Sequence, residues 1–145
     1  MDNRLIDKVI KTSLNKISVE GGDVYHAMKK SDGVFEKFGE AYFSWINSEA
    51  IKGWKRHQKM VSNFIVPHGK IKVVIFDDSV SQFEKFVLSP ENYLRLTIPS
   101  NLWVAFQGID RNPSLLLNIA SIKHDPAEAD TREINAIAYD WSIHK

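Results

Sequence analysis

The chain has 145 residues, 43% of them hydrophobic and 26% charged, with a formal net charge of +1 and no cysteine. That length fits one domain able to bury a core, and the lack of cysteine removes disulfides, thiolate nucleophiles and cysteine-ligated zinc. The near-neutral balance lacks the bulk positive charge of nucleic-acid binders, and neither a signal peptide nor an apolar run of roughly 20 residues is visible, so a soluble, cytoplasmic protein with no nucleic-acid or membrane partner is expected.

Residues 5–14 and 23–30 are the stretches that suit short helices. Beyond them, turn formers recur at short intervals, including Asp32-Gly33, Asn47-Ser48, Pro67-His68-Gly69, Asp77-Asp78, Ser89-Pro90, Pro99-Ser100-Asn101 and Asp125-Pro126. Between these turns lie apolar or alternating segments of strand length at 41–46, 51–58, 63–66, 71–76, 83–88, 93–98, 103–106 and 115–120. Many short strands at this spacing, without an internal repeat or a linker, predict an all-β antiparallel sandwich or barrel with short peripheral helices, in a single domain over 1–145.

The chemistry concentrates in Lys52-Gly53-Trp54-Lys55-Arg56-His57-Gln58-Lys59. Strand alternation puts Lys55, His57 and Lys59 on one face and Trp54, Arg56 and Gln58 on the other. One face of a barrel strand points inward, so Lys55 and His57 are candidates to share a cavity. Cations beside an imidazole oppose a further positive charge on it, which leaves it able to accept a proton as a general base must. The same residues equally suit a solvated edge strand whose charges discourage aggregation, and spacing alone does not choose between the two.

Other residues carry weaker signals. Tyr42 either points into the barrel as a proton donor or satisfies its hydroxyl at the sheet margin. Trp103 and Phe106 read first as core or cavity lining, although an aromatic ring can stack on a nucleotide base. Asp77-Asp78 and His68 read as turn residues. Lys55-x-His57 replaces the paired histidines of a metal site, and His26, His68, His124 and His144 are scattered, so no metal centre and no cofactor are expected.

The order of the motifs carries more than any one of them. Lys52-Gly53-x-Lys55-x-His57, then Pro67-His68-Gly69-Lys70, then Ile98-Pro99-x-x-x-Trp103-x-x-Phe106, then Asn118-Ile119-Ala120-Ser121-x-x-His124-Asp125-Pro126-x-Glu128 resemble the cupin sugar-nucleotide epimerases. The dTDP-4-dehydrorhamnose 3,5-epimerases and the dTDP-sugar 3,4-ketoisomerases are the most similar, over roughly residues 38–141. The resemblance implies a cupin jelly-roll barrel, a homodimer, and a nucleotide-linked 4-keto sugar handled without metal or redox cofactor. It places His57 at the basic histidine, with Lys52 and Arg56 suited to the diphosphate. His124 falls where the epimerases carry their acid tyrosine, and Ser62 or Asn63 near an active-site lysine. No carboxylate partner for His57 is evident, Asp140 being the one candidate.

These features give three functional expectations. The first is a metal-independent epimerase or isomerase in which His57 removes the proton beside a ketone, Lys55 or Arg56 steadies the enolate, and His124 or Tyr42 reprotonates it, with Lys52, Lys55, Arg56 and Trp103 binding the substrate. The second is a non-catalytic sugar-nucleotide or carbohydrate-binding cupin. The third is a structural subunit whose cations lie on a polar rim.

Overall fold

The computed structural model describes residues 4–33 and 37–143. In chain order the strands are β1 (Ile10–Ser13), β2 (Lys16–Ile17), β3 (Val24–Tyr25), β4 (Glu40–Ile46), β5 (Ile51–His57), β6 (Ser62–His68), β7 (Ile71–Asp77), β8 (Gln82–Leu88), β9 (Leu94–Ile98), β10 (Trp103–Gly108), β11 (Ser114–Ala120) and β12 (Ala129–Thr131). Helical structure among the described residues is confined to 3-10 turns at Leu5–Lys8, Pro126–Glu128 and Ile134–Ala136. No helix among them is long and apolar enough to cross a membrane.

Two five-stranded antiparallel sheets form, β1-β9-β6-β11-β4 and β12-β5-β10-β7-β8, and β2 pairs with β3 in a small separate ribbon. From β4 onward the chain changes sheet at almost every strand, which is the jelly-roll arrangement of a cupin barrel. The inner faces meet over Phe64, Val66, Leu94, Leu96 and Ile98 from one sheet and Ile71, Val73, Ile75, Phe86 and Leu88 from the other. Burying each such side chain contributes about 1.5–3 kcal/mol.

Strand β7 is covered on both sides, and apolar side chains dominate both of its faces. Ile71, Val73 and Ile75 point into the barrel, while Val74 joins Trp54, Trp103, Ala105 and Ile137 in a second cluster on the outer face of the sheet. Tyr139 and Trp141 pack against that cluster, so the C-terminal segment acts as its lid. The turn between β6 and β7 needs Gly69, whose φ of +85° disfavours other residues and whose added Cβ would sit 2.7 Å from the Ser114 Cα.

The two expected helices do not form. Residues 5–14 begin as a 3-10 turn and then continue as β1, because the edge of β9 offers Ile10 to Ser13 a ladder of backbone hydrogen bonds. Residues 23–30 give β3 and an irregular stretch tied to the sheet by Arg95, which donates to the Ala27 carbonyl at 2.8 Å, and by Tyr93, which donates to the His26 carbonyl at 2.7 Å. Pairing across the fold outweighs local helix preference in both places.

Candidate active site

Strand β5 faces β10 with an irregular register, in which Val104 pairs with Lys55 and Phe106 with Lys52. Gly53 and Trp54 therefore stand opposite the single residue Ala105, a bulge of the kind a strand glycine often marks. Its consequence is chemical. Strict alternation would put Lys52 on the face opposite Lys55 and His57, whereas the extra residue brings all three to one side.

That side opens into a cavity of about 300 Å3 between the sheets, lined by Tyr42, Ser44, Lys52, Gly53, Lys55, His57, Ser62, Phe64, Val104, Phe106 and Asn118. Phe64 and Phe106 meet edge to face at 5.9 Å and close the apolar wall. Polar and cationic groups occupy the remainder, a division suited to a ligand with one apolar surface and a charged tail.

His57 is fixed from behind. Its Nδ1 hydrogen-bonds Glu128 Oε1, while Glu128 Oε2 accepts from the backbone amides of Lys59 at 2.8 Å and Met60 at 3.1 Å. The Glu128 side chain is only 3% exposed. Burial alone would push its carboxyl up, but hydrogen bonds from His57 and the two amides outweigh that and hold it below the usual carboxylate range. A carboxylate can only accept, so the ring presents Nδ1–H to it and Nε2 is the nitrogen left to act as acceptor.

The local sequence explains how Glu128 arrives there. Asp125 caps the short 3-10 turn by accepting from the Ala127 amide at 3.0 Å, and Pro126 starts it with its φ already set. The turn ends at Glu128 as the chain enters β12, whose first residue, Ala129, pairs with His57 itself.

Tyr42 is held by a second chain of hydrogen bonds. The Asn63 amide donates to Asn118 Oδ1 at 3.1 Å, and Asn118 Nδ2 donates to the Tyr42 hydroxyl at 3.0 Å. A backbone N–H has no acceptor role, so a flipped Asn118 would set its NH2 against the Asn63 N–H and lose that bond. Tyr42 must then accept from Asn118, which leaves its own proton available to the cavity.

His57, Tyr42, Lys52 and Lys55 thus line one cavity, and three other expected site residues lie elsewhere. Arg56 points to the outer face, where it pairs with Asp78 at 3.2 Å and Asp130 at 3.1 Å. Trp103 is 1% exposed on that same face, flanked by the guanidinium groups of Arg56 at 4.7 Å and Arg132 at 4.3 Å. Both follow from the alternation of β5 and β10, which sends them away from the barrel. His124 is exposed in the loop before Pro126 and does not line the cavity; the loop's contribution to His57 is Glu128.

Asp140 also stands apart from His57. It accepts from the Ser142 amide at 3.0 Å and borders a hollow on the outer side of the second sheet. Asp77 accepts from the Ile6 amide at 3.1 Å and so anchors the N-terminal turn, in keeping with a structural role. His144 lies outside the described residues. No three His, Asp or Glu side chains among the described residues are grouped closely enough to hold a metal ion. Sequence reasoning gave no role to Ser44, held Asn118 and Glu128 only as positions in a motif, and held Ser62 only as a neighbour of an expected lysine; a local signal existed for Glu128, the turn-starting Asp125-Pro126.

Residues 8–137 match the family model described as FdtA, WxcM-like, C-terminal. The chain belongs to this family. Among solved structures it is similar to a dTDP sugar isomerase from Desulfovibrio desulfuricans, with 32% identity, a TM-score of 0.87, and 92% of this chain and 90% of that one covered. A probable low-salt glycan biosynthesis epimerase of Haloferax volcanii is 30% identical over 100 residues, which span 65% of this chain and 64% of that protein. A dTDP-6-deoxy-D-glucose-3,5-epimerase from Legionella pneumophila, in complex with dTDP-4-keto-L-rhamnose, shares the fold at a TM-score of 0.80 with 16% identity, over 96% of this chain and 81% of that one. The FdtA-family chain thus has the fold of nucleotide-sugar epimerases.

Proposed function

We propose that this chain is an epimerase or isomerase of nucleotide-diphosphate 4-keto sugars that works by moving a proton on the carbon beside the ketone. The observation that carries the proposal is the buried Glu128 carboxylate behind His57, in a cavity that also holds Tyr42, Lys52 and Lys55. A histidine kept only for surface charge has no need of a carboxylate whose other oxygen is tied by two backbone amides.

The steps follow from the groups in the cavity. The ketone acidifies its neighbouring carbon, and His57 takes the proton on Nε2 while Glu128 steadies the imidazolium that forms. Negative charge then develops on the ketone oxygen, where Lys55 stabilises it. Lys52 stands at the cavity as a partner for the diphosphate, and Phe64 and Phe106 offer an apolar wall to the sugar or base. Tyr42 returns a proton, its hydroxyl oriented by Asn118. Return from a second direction inverts the centre, whereas return to the former carbonyl carbon, as the proton of the adjacent hydroxyl passes to the old ketone oxygen, moves the ketone. No step calls on a metal or a redox cofactor.

A homodimer is part of the proposal. On the edge strand β4, Phe43 is 64% exposed and Trp45 58%, and the preceding Phe38 is 61% exposed. An apolar strip on an open sheet edge is a surface that a second copy would cover.

Incubation with dTDP-4-dehydro-6-deoxyglucose in D2O, followed by NMR, tests the function. Deuterium at a ring carbon beside the ketone is the expected outcome. Binding of dTDP with no exchange at any carbon would favour a sugar-nucleotide-binding protein over an enzyme.

A further inference from the structure

On the face of the second sheet that turns away from the barrel, the C-terminal segment and strands β7 and β8 enclose a hollow of about 420 Å3 bordered by Lys72, Lys85, Tyr139 and Asp140. Lys72 is 8% exposed, an uncommon state for a lysine. Its Nζ lies 5.8 Å from the ring centre of Tyr139 and 5.4 Å from that of Trp141. Two polar atoms are buried nearby without a hydrogen-bond partner among the described residues: Trp141 Nε1, and Oε1 of Gln107, the residue paired with Lys72 across the β7–β10 ladder.

The charges facing Lys72 set its chemistry. Burial, and then the positive charge of Lys85, hold its ammonium below the ordinary lysine pKa, with Asp140 opposing them and Tyr139 pushed up by its own burial. An amine desolvated by burial and crowded by a second cation is in the setting that makes lysine a nucleophile.

We propose that Lys72 is a reactive amine site for small carbonyl compounds that carry an anionic group, with Lys85 holding the anion. The Nζ lone pair attacks the carbonyl carbon and an N–C bond forms. The resulting carbinolamine loses the former carbonyl oxygen as water, leaving a C=N bond. Nothing is oxidised or reduced. The site lies on the opposite side of the sheet from His57 and is independent of the barrel chemistry.

Pyridoxal 5′-phosphate combines an aldehyde and a phosphate and serves as the probe. The intact chain is treated with it at near-neutral pH in the presence of dTDP to occupy the barrel, reduced with borohydride, and mapped by peptide mass spectrometry. Lys72 is expected to be labelled at least about five-fold more than the exposed Lys11, Lys59 and Lys123. Pyridoxal, which lacks the phosphate, should label it less, and Lys85→Met, at an exposed position, should remove the difference between the two probes. Labelling of Lys72 at or below the level of the three exposed lysines would overturn the proposal. An unchanged preference for the phosphate in Lys85→Met would overturn the role of Lys85.

Discussion

Replacing Glu128 with Gln changes almost no volume and reverses the logic of the His57 hydrogen bond. Glu128 Oε2 accepts from two backbone amides, at 2.8 Å from Lys59 and 3.1 Å from Met60, and neither amide can accept in return. The glutamine oxygen must therefore take that position, which turns its NH2 toward His57 Nδ1. A ring nitrogen facing a donor has to accept, so the imidazole proton moves to Nε2, where the catalytic lone pair is needed. The wrong tautomer in a catalytic triad costs about 10^4 in kcat, and a loss of about 10^3 to 10^4 is expected here. Losing the charge on a buried acceptor should cost about 1–2 kcal/mol, which for a domain of this size lowers Tm by about 2–8 °C. Because Glu128 does not line the cavity, dTDP affinity by calorimetry should stay close to wild type. A folded Glu128→Gln protein that exchanges deuterium within about ten-fold of wild type would refute the base assignment.

Tyr42→Phe, at a position 42% exposed, should leave Tm within about 2 °C and retain deuterium uptake, yet lose about 10^2-fold or more in product formed; loss of both activities together would remove Tyr42 from the acid role. Asn118→Asp should give the same separation in the NMR assay, since a carboxylate would draw the Tyr42 proton away from the cavity. Arg56→Met removes two partly exposed ion pairs and a contact with Trp103, so thermal melts should show a loss of about 1–2 kcal/mol with kcat/KM unchanged in the folded protein. A large rise in KM would instead return Arg56 to the diphosphate. The lowered pKa of Glu128 means that the folded state binds fewer protons than the unfolded state near pH 4, so its contribution is present above the usual carboxylate range and lost as pH falls through the folded value. Tm measured from pH 6 down to pH 3 should therefore fall more steeply for wild type than for Glu128→Gln.

Much of the fold was legible because period-2 patterning and turn chemistry agree along the chain. Ile71-Lys72-Val73-Val74-Ile75-Phe76 is bounded by Gly69 and Asp77-Asp78, and β7 occupies Ile71–Asp77. The N-terminal segment misled because its local pattern suits a helix, while its fate depends on β9, more than 80 residues away in sequence. Within the site, His57 and Lys55 followed from alternation on one strand, and Lys52 escaped it because a bulge at Gly53 and Trp54 shifts the parity.

The loop before β12 was noticed for His124, the residue that suggested chemistry. Its physical role lies four residues on, in a carboxylate delivered by the Asp125-Pro126 turn. Strand pairing that brings residue 128 beside residue 57 is not written in either segment alone. Asn118 was hidden for a similar reason, since its value rests on the orientation that the Asn63 amide imposes. Arg56 was drawn toward the site by the resemblance, although alternation along β5 already set it on the face opposite His57, and Trp103 was drawn there as an aromatic ring that could stack, whereas it lies on the outer face.

The most direct measurement compares wild type with His57→Asn in D2O with a dTDP-4-keto sugar, following ring-proton exchange by NMR and dTDP binding by calorimetry on the same samples. Exchange abolished with binding retained is the predicted result. Exchange that continues in the folded variant would contradict the account, because the proton would then leave the sugar by another route.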